Sequence, residues 1–542
     1  TARTRPLSRG RAFKTGFRKP NARNGTQPEP RRKHNFIYFQ TSPFILCVKR
    51  MENKLESQKK LYFDYKWVII FLIVGFLLIF QVLPLVYLLV RSMFINGRFS
   101  LEGFKNIYSY ALNWTCLKTT LVAATLTMVF GVLLSFPLAW LVGRTNLYGK
   151  KKFRTVFVMT YMVPPYVGAM AWLRLLNPTV GTMNVVLAKI FHLSQNPFNI
   201  YTVGGMVWVL TTFYYPYAFI TISRAMEKMD PSLEEASRIS GASPLKTLFT
   251  VTIPLALPSL IAAALLVFVA AASGYGIPSI IGAPGQIYTV TTRIIDYVQI
   301  GNDEGLTHAT CLAVFLMAVA LIILYVSNFI VGKKEYITVS GKSTHPSIVD
   351  LGRWRILVTI IVTLFAILVT ALVVLFAILV VVIPFWTVIS TSVTMNMGKD
   401  VFARNNITWR YWKIIFSRKS ILNSFKNSIT YAFLAATFGM IVSVVMAWLL
   451  KRTEAKGREI PDFLITVGSG TPSVVIALAL IMTMTGKFRI NIYNTIGIMV
   501  IAYMIKYMMM GMRTVVSAFT QISPSLESAA QIAGAGWVQR LK

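Results

Sequence analysis

Apolar runs long enough to cross a lipid bilayer recur along this chain, near 67–90, 117–143, 155–176, 200–222, 254–281, 308–331, 356–390, 425–450, 461–485 and 495–517. A hydrocarbon core about 30 Å thick is spanned by about 20 helical residues. Inside it, every backbone N–H and C=O must be satisfied within the protein, which favours helices over open strands or loops. The chain is therefore read as an all-α polytopic membrane protein with ten spans. Composition agrees, since only 14% of residues are charged where a soluble domain carries about a quarter. The run 356–390 exceeds one crossing, which predicts a tilted or protruding helix. Prolines within several runs (Pro84, Pro137, Pro164, Pro165, Pro216) are tolerable where neighbouring helices satisfy the freed carbonyls.

A formal net charge of +36 raises nucleic acid as a partner. The basic residues cluster instead in short connectors between apolar runs, the pattern that positive-inside orientation produces, and nucleic-acid binding is set aside. The connectors 144–154, 332–355 and 451–460 are basic, as is the segment before Trp67. All four share one side if every run crosses once, and that side is read as the cytoplasm, N-terminus included. The connector 391–424, with six Lys or Arg, falls outside against this majority. Residues 1–50 carry thirteen Lys or Arg against one acid, and Met51 opens a more ordinary start. They are read as a disordered or artefactual basic extension. Cys47, Cys116 and Cys311 lie far apart and the four histidines are scattered, so neither a disulfide framework nor a metal site is expected.

Between the fourth and fifth runs lies a polar stretch, Asp230-Pro-Ser-Leu-Glu-Glu-Ala-Ser-Arg-Ile-Ser-Gly-Ala-Ser-Pro-Leu-Lys246. Asp230 suits a helix cap, Pro231 the first helical position, and Glu234 and Glu235 the positive end of the helix dipole. Gly241 is placed to stop that helix in the left-handed region, and Ser243-Pro244 to start another. Much of this wording returns from Ser523 to Gly536. The halves also align elsewhere: Pro84 with Pro384, Arg144 with Arg452, Pro164 with Pro472, Thr202 with Thr495, and Pro231 with Pro524. The offset steps from 300 to 308 to 293, each time inside an outer connector, so the inner face carries the constraint. Six spans separate the two polar loops, which makes the repeat parallel, about an axis along the membrane normal. The expected organisation is a first half over 51–340 with six spans and its loop at 223–252. The second half, over 341–542, has four spans and its loop at 518–542. Two further spans are expected by the repeat and read as truncated.

The loop Glu235-Ala236-Ser237…Gly241, followed by Val251-Thr252-Ile253-Pro254, resembles the EAA motif of binding-protein-dependent ABC importer permeases. The second copy, Ser528-Ala529-Ala530…Gly534, fits as well, with its acid, Glu527, one position earlier. The stretches Asn177–Asn184 and Gly276–Gly285 resemble the subgroup of fused ferric-iron permeases; relatives for thiamine, polyamines, phosphonates and sulfate share much of this pattern. The resemblance implies two coupling helices seated on two cytoplasmic ATPase subunits, an extracytoplasmic binding protein, alternating access, and a bacterial inner membrane. It also implies no catalysis and no cofactor bound by this chain, with ATP-Mg on the partner. Asp230, Glu234, Glu235, Ala236, Gly241, Glu527, Ala529, Ala530 and Gly534 are the residues it assigns to ATPase coupling. Gly341-Lys-Ser-Thr344 ends like a phosphate loop but has Tyr336 where the first glycine belongs, so nucleotide chemistry is assigned to the partner.

Charge within spans supplies the remaining candidates. Lys506 falls near mid-span, opposite Phe213 in the repeat, and is read as lining the path or pairing across the halves. Tyr214 and Tyr215, beside Met508, Met509 and Met510, are read as a gate. Arg174, nearer a span end, is expected to snorkel. The rival readings are an ion-coupled secondary transporter, which more often buries acids in its spans, and a membrane scaffold without transport.

Overall fold

The computed structural model describes residues 65–95, 98–144, 150–229, 231–332, 360, 364, 378–396, 403, 405–453, 456–486 and 488–534. The basic extension 1–50, Asp230, the Gly341–Thr344 stretch and most of the run 356–390 lie outside these residues, as does the side chain of Glu527. The chain from Lys66 onward forms one compact unit.

That unit is helical apart from a two-residue antiparallel ribbon, β1 (Phe94–Ile95) with β2 (Arg98–Phe99). Its first half comprises α1 (Trp67–Met93), α2 (Glu102–Ser109), α3 (Ala111–Arg144), α4 (Lys150–Met162), α5 (Pro165–Leu176), α6 (Thr182–Ile190) and α7 (Val203–Lys228). The polar helix α8 (Pro231–Ile239) leads into α9 (Leu248–Ala272), α10 (Val290–Ile300) and α11 (Asp303–Gly332). The second half repeats the order with α12 (Ile383–Ser392), α13 (Arg410–Ser417), α14 (Lys419–Arg452), α15 (Glu459–Gly470), α16 (Ser473–Thr483), α17 (Ile496–Gln521) and α18 (Pro524–Ile532).

The duplication extends to element lengths. Helices α3 and α14 each have 34 residues, α7 and α17 each 26, and α8 and α18 each nine. Widened π-turns at Leu78–Val82 and Ile378–Val382 precede Pro84 and Pro384 at the same offset of 300. Proline has no N–H to donate and its ring crowds the carbonyl four residues back, so one wider turn relieves both. Leu248–Ala272 opens with the same device before Pro254.

Not every apolar run is one straight crossing. Among the described residues seven helices are long and apolar enough to span. The runs near 155–176 and 461–485 are instead helix pairs, α4–α5 and α15–α16, bent by 98° and 108°. The reason is Pro164-Pro165 in one and Pro472 in the other, which cannot continue the ladder. Each pair still tracks the long helix beside it in step. Phe157 stacks edge-on against Phe219, Tyr161 against Tyr217 and Trp172 against Trp208, and Leu176 O accepts from Ile200 N. In the second half Arg513 reaches Asp462 and Lys506 reaches Ser469 and Thr471, while Ile476 and Leu480 pack with Ile498. Residue order in the bent pair thus runs opposite to that in α7 or α17 from end to end, which is one traverse of the bundle.

In lipid, helices associate through close packing and interhelical hydrogen bonds rather than through hydrophobic drive. Helix α3 buries Thr120, Ala124, Thr127, Gly131 and Ser135, a stripe of small residues three or four apart. Helix α14 buries Ala435, Gly439, Ser443 and Ala447 at the matching offset of 308. The close approach lets Ser135 Oγ donate to Tyr215 O (2.8 Å) and Ser443 Oγ to Met508 O (3.2 Å), the same bond in both halves.

Helix α1 belongs to the first half in sequence, and beside its contacts with α11 it packs against the second. Ile70, Ile73 and Leu77 meet Leu449 and Met512, Gln81 Nε2 donates to Leu464 O (2.6 Å), and Tyr87 meets Phe488 edge-on at 5.6 Å. Just beyond, Arg91 pairs with Asp303 at 3.2 Å. The 484–493 turn therefore shares a face with the start of α11, and the opposite face holds both Arg144 and Arg452. The parallel sense of the repeat follows, with α8 and α18 on one side.

Candidate functional site

On that shared face each half presents a short amphipathic helix. In the first, α8 starts at Pro231 and ends in Gly241, whose φ of +85° suits only a residue without Cβ strain. Ser243 then accepts from Lys246 N at 3.3 Å as the next helix begins. In the second, α18 ends in Gly534 with the same φ of +85°.

The sequence assigned this helix's role to Asp230, Glu234, Glu235, Ala236 and Gly241, and the structure adds an exposed apolar stripe around Ala236. Leu233, Ala236 and Ile239 share it at i, i+3 and i+6 and are exposed, Ile239 by 87%. Leu526, Ala529 and Ile532 repeat them at an offset of 293, with Ile532 88% exposed. A nine-residue helix that turns such a stripe to solvent is shaped for a partner. Ser237 and Ala530 are half-buried, as is Glu235, while Gly534 is exposed. The signal for Leu233, Ile239 and their repeats was present in the helical spacing of apolar residues within a polar stretch.

Glu234 points the other way. Its carboxylate accepts from Thr252 Oγ1 at 2.7 Å and lies 3.8 Å from Arg144 Nε, with the two charged side chains only 12% and 10% exposed. Arg144 also donates to Met229 O (3.0 Å), the cap of α7. Arg452 repeats that bond to Ile522 O (2.7 Å) and adds one to Phe519 O (3.1 Å). Arg144 and Arg452 were legible as an aligned pair closing two spans, but their reach to the loop was not. Nearby, Arg154 pairs with Glu227 in the first half and Asp462 with Arg513 in the second (3.2 Å).

Deeper in the unit, the expected path residues separate. Tyr215 is fully buried in its own half and donates to Phe157 O (2.6 Å), and Met508 is buried against α1 and α14. Both are packing positions, reached because α7 and α17 each sit between two neighbours. Tyr214 is buried against Tyr217 (ring centroids 5.9 Å). The halves meet at Tyr161, whose hydroxyl lies 3.8 Å from Met510 Sδ, the repeat counterpart of Tyr217. Tyr507, the counterpart of Tyr214, is 59% exposed beside them. Met510 was among the methionines read as a gate, whereas Tyr161, Tyr217 and Tyr507 were not singled out in the sequence, where aromatic residues in spans are too common to stand out.

Lys506 pairs with no acid among the described residues. Its ammonium donates to Ser469 O (3.0 Å) and Thr471 O (2.8 Å), the carbonyls at the end of α15 where Pro472 breaks the helix. A cation there meets both the free carbonyls and the negative end of the dipole. At the same place in the first half, Phe213 lies over Gly168, where any Cβ would run into its ring. Arg174 does not snorkel; it is buried within the protein, 6% exposed, on the helix that follows the bend. Among the described residues no three His, Cys, Asp or Glu side chains converge.

Residues 135–333, which include α8, match the family described as binding-protein-dependent transport system inner membrane component. The chain is 24% identical to the ferric transport system permease protein FbpB of Actinobacillus pleuropneumoniae, over 74% of this chain and 55% of that protein. It is 27% identical to the molybdenum transport system permease protein ModB of Haemophilus influenzae, over 40% of this chain and 92% of that protein. The chain thus spans little more than half the length of the ferric relative. A solved bacterial ABC transporter involved in import of the polysaccharide alginate aligns over 54% of this chain with a TM-score of 0.42 and 17% identity. The family match over 135–333 and the permease relatives make this chain, a multi-pass membrane protein by its helices, similar to the binding-protein-dependent transport permeases.

Proposed function

We propose that this chain is the permease subunit of an ATP-driven importer in a bacterial inner membrane, with α8 and α18 on the cytoplasmic side and the N-terminus cytoplasmic as well. Each of these helices seats on one of two cytoplasmic ATPase subunits, which bind ATP-Mg; the chain itself binds no cofactor and catalyses no reaction. An extracytoplasmic binding protein delivers the cargo to the other face. Closure of the ATPases moves both seats, and rigid helices carry the motion to the interface around Tyr161, Tyr507 and Met510, alternating access. The coupling role covers Asp230, Glu234, Glu235, Ala236, Gly241, Glu527, Ala529, Ala530 and Gly534, to which the apolar stripe is added.

The observation that carries this reading is the pair of equivalent exposed stripes, Leu233-Ala236-Ile239 and Leu526-Ala529-Ile532, on one face of a duplicated bundle. A scaffold or an ion-coupled carrier has no use for two identical levers. Cysteines introduced at Ile239 and Ile532 are expected to crosslink to a nucleotide-hydrolysing protein in native membranes; crosslinking of neither refutes the reading.

For cargo we propose ferric iron, supported by the ferric permease relative. The molybdenum relative favours a second reading, an oxyanion. Uptake of radioactive ferric iron and of molybdate into cells with and without the gene separates the two.

A further inference from the structure

The docking helix α8 is joined to the bundle through Met229 at one end and Gly241 at the other. Gly241 stands at φ +85° with open space around it, so the covalent link there is a natural pivot. A lever free to turn at its joints dissipates the motion applied to it. Some second attachment must fix the angle of α8 if a push on Ile239 is to reach the membrane helices.

Glu234 supplies that attachment. It stands on the face of α8 opposite the stripe and accepts from Thr252 at the foot of α9 (2.7 Å). It also pairs with Arg144 at the end of α3 (3.8 Å), and Arg144 in turn holds the cap of α7 (3.0 Å). Two long helices therefore meet this carboxylate directly, and a third is tied to it through Arg144. Helix α3 is not a covalent neighbour of α8 at all, yet it packs along α7 for most of its length. A second tie, Ser237 Oγ to Thr247 Oγ1 at 3.0 Å, braces the loop itself. In the second half Arg452 makes the corresponding bonds to Phe519 and Ile522, and the sequence again supplies an acid at the repeat position, Glu527, while the position of Glu235 becomes Ser528. The acid kept in both copies is the one at the position of Glu234.

We propose that Glu234, through Arg144 and Thr252, is a positioning residue for energy coupling: it fixes the angle of the docking helix so that ATPase motion enters α3 and α9 together. The inference rests on the docking role proposed above and deepens it. It predicts a split between two rates. With the carboxylate gone, the ATPases still dock on the stripe and still hydrolyse ATP, while less of the motion arrives.

The test uses the full chain in proteoliposomes with its ATPase and binding protein, ferric iron as the cargo probe, and ATP hydrolysis and iron uptake measured together. Glu234→Ala is expected to leave co-purification of the ATPase intact and to raise ATP consumed per iron by about five- to tenfold, within the range of site-to-site coupling energies. Arg144→Ala is expected to do the same, and the double variant to be no worse than either alone, because both remove one contact. Glu234→Gln, which keeps an oxygen for Thr252, is expected to fall between, and serves if the alanine variant fails to assemble. An unchanged ATP-to-iron ratio in the assembled variants overturns the proposal. So does release of the ATPase by Glu234→Gln, which would make the residue part of the docking contact. Ile239→Asp combined with Ile532→Asp distinguishes the two levels: if the pair leaves the ATPase bound, the docking reading itself falls.

Discussion

Replacing Lys506 by Met keeps the length and most of the volume of the side chain and removes only its ability to donate. Two carbonyls, Ser469 O and Thr471 O, then lose their partner inside a lipid-embedded unit. Pro472 cannot supply an N–H, and the neighbouring Thr471 N–H is already given to Val467 O and Gly468 O. A buried polar group left unsatisfied costs about 1–3 kcal/mol, and measured hydrogen bonds in membranes cluster near the low end of that range. Two such groups give a loss of about 2–4 kcal/mol. Lys506→Met should therefore lower the midpoint of unfolding in detergent clearly, without altering the basic connectors that set orientation. The first half suggests a sharper version. There Phe213 seals the same bend by lying over Gly168, but the residue matching Gly168 is Ile476, buried in its cluster. Lys506→Phe alone should be worse than Lys506→Met, and adding Ile476→Gly should recover part of the loss by rebuilding the first-half seal. Reversible unfolding followed by tryptophan fluorescence measures all three. Equal stability of Lys506→Met and the unaltered protein would refute the capping role and leave a role in the path.

Other outcomes follow from the same geometry. At Gly241 nothing lies within 4 Å of a built Cβ, so bulk is irrelevant and backbone strain decides: Ala and Trp should each cost about 1–2 kcal/mol and Asn distinctly less, read as the unfolding midpoint of the set. Ser135→Ala and Ser443→Ala each delete one interhelical bond to a carbonyl and should each cost about 0.6 kcal/mol; a large difference between them, measured by the same unfolding, would contradict the equivalence of the halves. Cys116 and Cys311 are buried near the first turns of α3 and α11, so membrane-permeant maleimide should label neither in the folded protein and both after denaturation, as counted by mass spectrometry.

How much of this was readable beforehand differs from element to element. The ends of α3 and α14 were legible because Arg144-Thr145 and Arg452-Thr453 close two apolar runs in register. The stop at Gly241 was legible because a glycine after an amphipathic turn has few other uses. The bends at Pro164 and Pro472 were not. Proline in a membrane helix is compatible with a straight span, a kink or a right-angle turn, and the choice depends on what meets the freed carbonyls. Lys506 meets them in one half and an aromatic seal stands there in the other. Arg174 was misjudged for the same reason, since snorkelling presumes a straight span with its end near water, and α5 instead follows the bend and packs Arg174 inside the protein.

Hydropathy, spacing and internal repetition are properties of the chain taken in order, and from them alone came the helical class, the parallel duplication and the two polar loops with their turn glycines. The inward aim of Glu234, the apolar face turned out in its place, and the meeting of Tyr161 with Met510 join positions tens to hundreds of residues apart. Such partnerships are fixed by which helices pack together and at what rotation, and packing is a property of surfaces brought together in three dimensions, to which a linear pattern gives only the outline.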